Sequence, residues 1–383
     1  MDNKNNKIKK IFKYLFCLSG AGPFIRKMRG YYYMCIDFLA GTLFPEDKVP
    51  AGFVPGSILL VRIDRVGDLV VSIPAIHAVR KRFPDARIDV LVSEYACELI
   101  SSDPHIDNVL IYGRDRLPDN YDAAVGLHPG IRVNRLVYES GARMRVGFSG
   151  WGGSFYLTDV LVDDRQKRPR HEVQTALEAV GRIGCGMEEN DMRIYTDPAG
   201  ERNAEHFLRD KGLTVKSFVI LHPGARQRHV RWDGEKFARV ADKIAEEFGY
   251  AVVITGSESE RALVEDVASR MRCNSVTAAG LPLAVIVSLY SRSVLFVGNI
   301  TGPMHIACAL KIPVVAVSGV WGCLDDYRYW GPWKTENRVV NRKDICQKCH
   351  PSDCHGYKCM DSISVEDVYM SVKELLNRVK GEI

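Results

Sequence analysis

Three phosphate- and metal-binding signatures are missing from these 383 residues. There is no Gly-x-Gly-x-x-Gly and no Gly-x4-Gly-Lys-[Ser/Thr], so neither a dinucleotide fingerprint nor a P-loop supports a dehydrogenase or a kinase. Nor is there an Asp-x-Asp pair. Its absence removes the usual way of holding a divalent ion against a diphosphate and leaves cationic side chains and helix dipoles for that task. A run of about twenty apolar residues, which a membrane-spanning helix needs, is also lacking. Near the N-terminus Lys13, Arg26 and Asp37 cut the longest apolar stretches. No short repeat or low-complexity tract occurs, and 46% hydrophobic with 26% charged residues is the balance of a globular chain rather than a disordered or fibrous one.

What is present begins with size. A chain of 383 residues exceeds the length at which one hydrophobic core stops growing, so two domains are expected. The formal charge of +5 is concentrated at the start, where Lys4, Lys7, Lys9, Lys10, Lys13, Arg26, Lys27 and Arg29 are opposed by Asp2. Phe12, Tyr14, Phe16, Phe24 and Tyr31 to Tyr33 lie among these charges. The mixture suits an anionic bilayer surface, so residues 1–55 are expected to form a leader lying on a membrane. A signal peptide and a leader with no lipid role are the competing readings. Nucleic acid is not an expected partner, because the positive excess sits mostly in the leader and not in a patch interleaved with stacking aromatics.

Seven of the eleven cysteines are isolated in apolar or loop contexts and read as reduced packing residues. The other four, Cys346, Cys349, Cys354 and Cys359, follow a C-x2-C-x4-C-x4-C spacing with His350 and His355 between them. Four thiolates so close could close a structural zinc site, with free or disulfide-paired thiols as the alternatives.

After Pro55, short apolar runs alternate with amphipathic stretches, the pattern of an α/β chain with parallel sheets. Strands are expected at 57–63, 88–92, 109–112, 123–127 and 144–148, with a helix over 69–82. A polar, irregular stretch from Gly150 to Arg170 and helices over 172–183 and 199–211 then connect two halves. The alternation restarts with strands at 218–222, 251–255, 295–298 and 314–317 and helices over 234–248, 260–271, 283–291 and 303–310. The division is therefore a domain over 56–195, a second over 196–362 carrying the cysteine cluster, and a final helix within 363–383. Two such halves leave a cleft at the carboxyl ends of their strands, where open sheets bind ligands.

Four loops at those strand ends carry chemistry. The first runs Arg62, Ile63, Asp64, Arg65, Val66, Gly67, Asp68. Asp68 there is either a helix cap or a general base at a cleft rim. Arg62 and Arg65 could hold an anionic acceptor. The second runs from His222 through Gly224, Arg226, Arg228 and Arg231 to Trp232, a glycine-containing basic loop before a helix that suits a diphosphate. The third ends at Glu260, placed either to read a ribose or to complete a capping box. The fourth, Gly298 to His305, brings Thr301 and Gly302 to a helix N-terminus, a second anion cradle.

In combination these loops resemble glycosyltransferase family 9, the ADP-heptose:lipopolysaccharide heptosyltransferases, from about Ser57 to the C-terminus. The resemblance implies the GT-B architecture, two facing Rossmann-like domains with an interdomain cleft, and inversion of anomeric configuration without a metal or other cofactor. It matches Asp68 to the base, Glu260 to the ribose-reading carboxylate, and Thr301 with Gly302 to the diphosphate-holding pair, His305 standing nearby. It implies a nucleotide diphosphate sugar as donor and lipopolysaccharide core or another envelope saccharide as acceptor, at the inner face of the cytoplasmic membrane. The chain departs from the family at Val230, where Lys is usual, and at Ile300, where Asp is usual; both positions face the donor by the resemblance. A non-catalytic nucleotide-sugar-binding or scaffolding relative is the alternative from another class, and an epimerase of the same shape a third.

Overall fold

A computed structural model describes residues 52–165, 167–188, 190–319, 326–342, 344–345 and 356–381. The expected membrane leader and Cys346, Cys349 and Cys354 of the expected zinc cluster lie outside these residues, while Cys359 is buried. Among the described residues, no helix is long and apolar enough to cross a membrane.

The first half is one parallel sheet of β1 (Ser57–Arg62), β2 (Arg87–Val92), β3 (Asn108–Ile111), β4 (Ala123–Gly126), β5 (Met144–Phe148) and β6 (Asp159–Leu161) in the order β3-β2-β1-β4-β5-β6. Ser57 opposite Arg87 and Ile58 opposite Ala123 set the register of the central strands. Its helices are α1 (Val66–Val70), α2 (Ile73–Arg82), α3 (Ile131–Glu139) and α4 (Glu172–Gly181). The expected helix over 69–82 thus starts earlier and is interrupted. Ser72 donates its hydroxyl to the carbonyl of Asp68 at 2.9 Å, and Pro74 has no amide to continue the ladder, so the chain restarts at Ile73.

The second half comprises β7 (Phe218–His222), β8 (Ala251–Gly256), β9 (Ser275–Ala279), β10 (Phe296–Asn299), β11 (Val314–Ser318) and β12 (Asn337–Asn341), all parallel, in the order β12-β11-β10-β7-β8-β9. Its helices are α5 (Pro198–Asp210), α6 (Gly234–Phe248), α7 (Arg261–Arg270), α8 (Leu283–Ser291), α9 (Gly302–Ala309), α10 (Tyr327–Trp330), α11 (Lys358–Asp361) and α12 (Val365–Gly381). α6 shows why such helices form: Asp233 caps it by accepting from the Lys236 amide at 3.1 Å, and Gly249 ends it at φ 75°. Each device is worth about 1 kcal/mol.

Both sheets reverse strand order beside their first strand, between β1 and β4 and between β7 and β10. The crevice at such a switch point is where doubly wound sheets take ligands. The two crevices face each other, and buried apolar residues run continuously from one half into the other, from Ile58 and Val70 to Phe218 and Met304.

Candidate active site in the interdomain cleft

A cleft of about 460 Å³ lies between the halves, lined by residues of the 65–68, 224–230, 255–260 and 300–306 segments, with Tyr95 and Trp330 at its edges. Its floor is the approach of two helix starts. A β-carbon on Gly67 would lie 3.1 Å from Gly302 Cα and 3.1 Å from His305 Cδ2, and one on Gly302 would lie 3.1 Å from Gly67 N. Neither position leaves comfortable room for a side chain.

Asp68 stands in the first turn of α1, half-buried on the cleft wall. Its Oδ1 accepts from Arg62 Nη2 at 3.2 Å and its Oδ2 from the Arg65 amide at 3.1 Å. Arg62 is therefore not at the cleft surface. Its side chain is 1% exposed, and Nη1 donates to the Leu127 carbonyl at 2.6 Å, so an acceptor cannot reach it. Arg65 is exposed and lines the cleft. Beside them Asp64 lies 3.6 Å from both Arg62 Nε and His128 Nδ1. Burial first, and then the Arg62 charge, push the His128 imidazolium down to about 3, so this ring is neutral at ordinary pH.

On the opposite wall Glu260 accepts from both the amide and the hydroxyl of Ser257, each at 2.9 Å. A β-carbon on Gly224 would come within 2.3 Å of Glu260 Oε1, so the glycine is what lets the carboxylate lie over the basic loop. Burial works to raise the Glu260 carboxyl, but His222 and the Ser257 hydrogen bonds together hold it below its ordinary value. Under it runs a buried polar chain: His222 Nδ1 to Thr255 Oγ1 at 3.0 Å, and Thr255 Oγ1 to the Tyr290 hydroxyl at 2.9 Å.

Asn299, at the end of β10, ties this wall together. Its side-chain amide donates to the carbonyls of Pro223 at 2.9 Å and Gly224 at 3.3 Å, while its oxygen accepts from the Trp232 amide at 2.9 Å. Thr301 begins α9 without a side-chain cap, and with Pro303 in the first turn the N-terminal amides stay uncovered by any side chain of the helix. His305 is buried, and its Nδ1 has no hydrogen-bond partner among the described residues. Burial, reinforced by neighbouring His171, pushes it down to about 3. His171 caps α4 of the first half: its Nδ1 accepts from the Val173 amide at 3.2 Å, so Nε2 carries the proton and donates to the Gly331 carbonyl of the second half at 3.0 Å.

Of the basic loop, Arg226 lines the cleft and has no ion-pair partner among the described residues. Arg228 does not line it. It pairs with Asp361 at 3.5 Å, donates to the Arg231 carbonyl at 2.8 Å and lies over the Tyr357 ring. Arg231 folds back onto the Ala225 carbonyl, Nε at 2.9 Å. Val230 and Ile300 both line the cleft. Asn299 and His171 went unremarked in the sequence because each works through partners 67 to 160 residues away, and a side chain carries no local mark of such contacts.

Two Rossmann-like halves whose switch points face one cleft, with helix N-termini and a carboxylate on its walls, define the GT-B architecture. The chain belongs to glycosyltransferase family 9 (heptosyltransferase), whose family model matches residues 114–359, and it is accordingly a glycosyltransferase. It is 27% identical over 344 residues to lipopolysaccharide heptosyltransferase 3 of Escherichia coli K12, covering 81% of this chain and 95% of that one. Its fold is that of a family 9 glycosyl transferase from Veillonella parvula, with a TM-score of 0.70 at 21% identity and coverage of 84% and 97%. It also matches E. coli ADP-heptose lipopolysaccharide heptosyltransferase II, with a TM-score of 0.68 at 20% identity and coverage of 85% and 99%.

Proposed function

We propose that the enzyme is an inverting, metal-independent transferase that moves a heptose or a related sugar from a nucleotide diphosphate donor to lipopolysaccharide core or another envelope saccharide. It would work at the inner face of the cytoplasmic membrane, held there by the basic leader. The names of its relatives, heptosyltransferases of lipopolysaccharide with ADP-heptose as donor in one of them, support this choice of substrates. The observation that carries it is the approach of Gly67 to Gly302, which brings the Asp68 loop against the N-terminus of α9. A base and a diphosphate cradle are then neighbours, as a single displacement requires.

In this reading the first half, to about residue 195, takes the acceptor and the second takes the donor. Asp68 removes the proton from the acceptor hydroxyl as its oxygen forms the new bond to the anomeric carbon. The bond from that carbon to the diphosphate oxygen breaks, and the electron pair leaves with the diphosphate. Arg226 and the amides at Thr301 and Gly302 neutralise the departing charge. Glu260 reads the ribose, with Gly224 making room for it. Neutral His305 packs beneath the donor without adding charge. Arg62 passes from acceptor contact to holding Asp68, Arg65 remains for an acidic acceptor group, and Arg228 drops out of the donor site.

The test pairs a thermal-shift screen of nucleoside diphosphates and their sugars with a transfer assay on an envelope saccharide. One nucleoside diphosphate is expected to raise Tm by mass action and its sugar to be transferred with inverted configuration in the presence of a chelator. A sugar nucleotide that binds but is never transferred, or transfer that retains configuration, would refute the reading.

A further inference from the structure

Away from the cleft, two imidazoles converge on one carboxylate. His77, in α2, has Nε2 2.8 Å from Asp103 Oδ2. His105, in the loop before β3, has Nδ1 2.8 Å from Asp103 Oδ1. The ring centroids are 4.1 Å apart, and three atoms able to bind a metal, one from each residue, lie within 4.8 Å of one another. His77 and Asp103 are 7% and 6% exposed, whereas the His105 side chain is 29% exposed and leaves one side open. The transfer chemistry uses none of them.

Each contact alone is an ordinary hydrogen bond, and Asp103 Oδ1 also accepts from the His105 amide at 3.0 Å; what stands out is that two imidazoles share one carboxylate. Two imidazole nitrogens and a carboxylate gathered this closely are the ligand set of borderline divalent ions, which bind imidazole and carboxylate at about 2.0 to 2.2 Å. In a tetrahedral arrangement ligands at that radius lie about 3.3 to 3.6 Å apart, so the three atoms, which lie within 4.8 Å of one another, draw together by up to about an ångström when an ion binds.

The loop that carries Asp103 and His105 is also held independently of their side chains. Arg80, one turn along α2 from His77, donates to the His105 carbonyl at 3.2 Å and to the Pro84 and Ala86 carbonyls at 2.8 Å each. It pairs with Asp107 at 2.5 Å, and Asp107 in turn accepts from the Ile88 amide at 2.7 Å. Tyr195, in the connection between the halves, lies 6.2 and 5.9 Å from the two imidazoles. The ligands are thus positioned before any ion arrives, and supporting contacts of this kind typically account for a tenfold or greater share of metal affinity.

We propose that His77, Asp103 and His105 form a structural site for one divalent transition ion of the zinc class. Water completes the coordination on the exposed His105 side. On binding, the two ring nitrogens stop donating to Asp103: a neutral ring moves that proton to its other nitrogen, and a protonated ring releases it to solvent. The ion clips the 103–107 loop to α2.

The test is Co²⁺ titration of the full chain after chelator treatment, followed by visible absorption and elemental analysis. Thiolate ligation at the cysteine cluster gives intense sulfur-to-cobalt charge transfer, which nitrogen and oxygen ligands lack, so the two classes of site are distinguishable. Wild type is expected to bind one equivalent with nitrogen–oxygen bands only, displaced by Zn²⁺. His105→Gln should weaken that component at least tenfold and leave any thiolate component unchanged. Equal uptake and equal spectra in the two proteins would overturn the proposal. Should the variant fail to fold, the absence of a nitrogen–oxygen component in wild type would overturn it alone. Neither result bears on the transfer reading.

Discussion

Arg62 and Asp68 are joined below the cleft surface, the guanidinium donating from Nη2 to the carboxylate Oδ1 at 3.2 Å while only 1% of its own side chain is exposed. The second oxygen of Asp68 takes the Arg65 amide at 3.1 Å. Each oxygen keeps a further lone pair, so the carboxylate is fixed in orientation and still able to take a proton. Asp68→Asn should therefore cost about a hundredfold or more in kcat and leave the donor Kd nearly unchanged, because the amide keeps the shape and loses the basicity. Single-turnover transfer beside donor titration checks this. Near-normal turnover would leave Asp68 with only its role at the start of α1.

Gly224→Ala separates donor binding from stability. The added carbon meets the end of a flexible side chain and not backbone, so the fold accommodates it, but Glu260 must leave its position over the loop. The expected result is a KM for donor raised about tenfold or more, the usual scale for losing a charged hydrogen bond, with Tm within a few degrees of wild type. A KM equal to wild type would remove Glu260 from the donor site.

Three buried histidines, His171, His222 and His305, together with half-buried His128, contribute to the response to acid. Burial depresses His171 to about 4 and His305 and His128 to about 3, and lowers His222 as well. Their folded values lie below the unfolded value of about 6.5, so as pH falls the unfolded chain binds protons first. The stability they contribute is complete above about pH 6.5 and is lost as pH falls toward the folded values. For His171 alone the loss at pH 5 is on the order of 2 kcal/mol. Urea midpoints should drop steadily from pH 7 to pH 5, and His171→Gln should show a shallower drop; parallel profiles would contradict the assignment.

Val230 and Ile300 line the cleft with apolar side chains, and donor choice is expected to turn on them. An apolar wall cannot satisfy hydroxyls pressed against it. A sugar with fewer hydroxyls there, such as a deoxy or acetamido sugar, should outcompete ADP-heptose, and Arg226 should supply the diphosphate cation. Val230→Lys with Ile300→Asp should move the preference back toward heptose. If wild type already prefers ADP-heptose in a donor competition assay, the wall does not select the sugar.

The pattern of alternating strands and helices, and the four loops at the strand ends, were legible because each is local: apolar runs, a glycine, a proline at a helix start. Three strands were not. β6 is a three-residue edge strand inside a polar stretch, β9 carries Thr277 and Ser275 at an edge, and β12 has a half-buried pattern throughout, so none shows the continuous apolar run of a central strand. Among site residues, Asp68, Gly224, Glu260, Thr301 and Gly302 announce themselves through their places in loops. The direction of an arginine does not. Whether Arg62 turns inward or Arg228 turns toward Asp361 depends on partners 65 and 133 residues away, and flexible stems reach either way.

The meeting of Gly67 and Gly302 has a consequence for how the enzyme tolerates change. A seam between domains is ordinarily a patchwork of side chains, and each can be exchanged if its neighbour adapts. At Gly67 and Gly302 main chain faces main chain, with the His305 ring and the Val66 side chain packed beside them, and neither glycine has a side chain to trade. In a saturation library, intolerance at this part of the seam should be confined to two codons, while Val66 and Pro303 beside them accept substitutes of similar bulk. The pair acts as a spacer gauge: a methyl group added to either glycine must push the facing segment back by a few tenths of an ångström, and so is expected to widen the gap between the two halves.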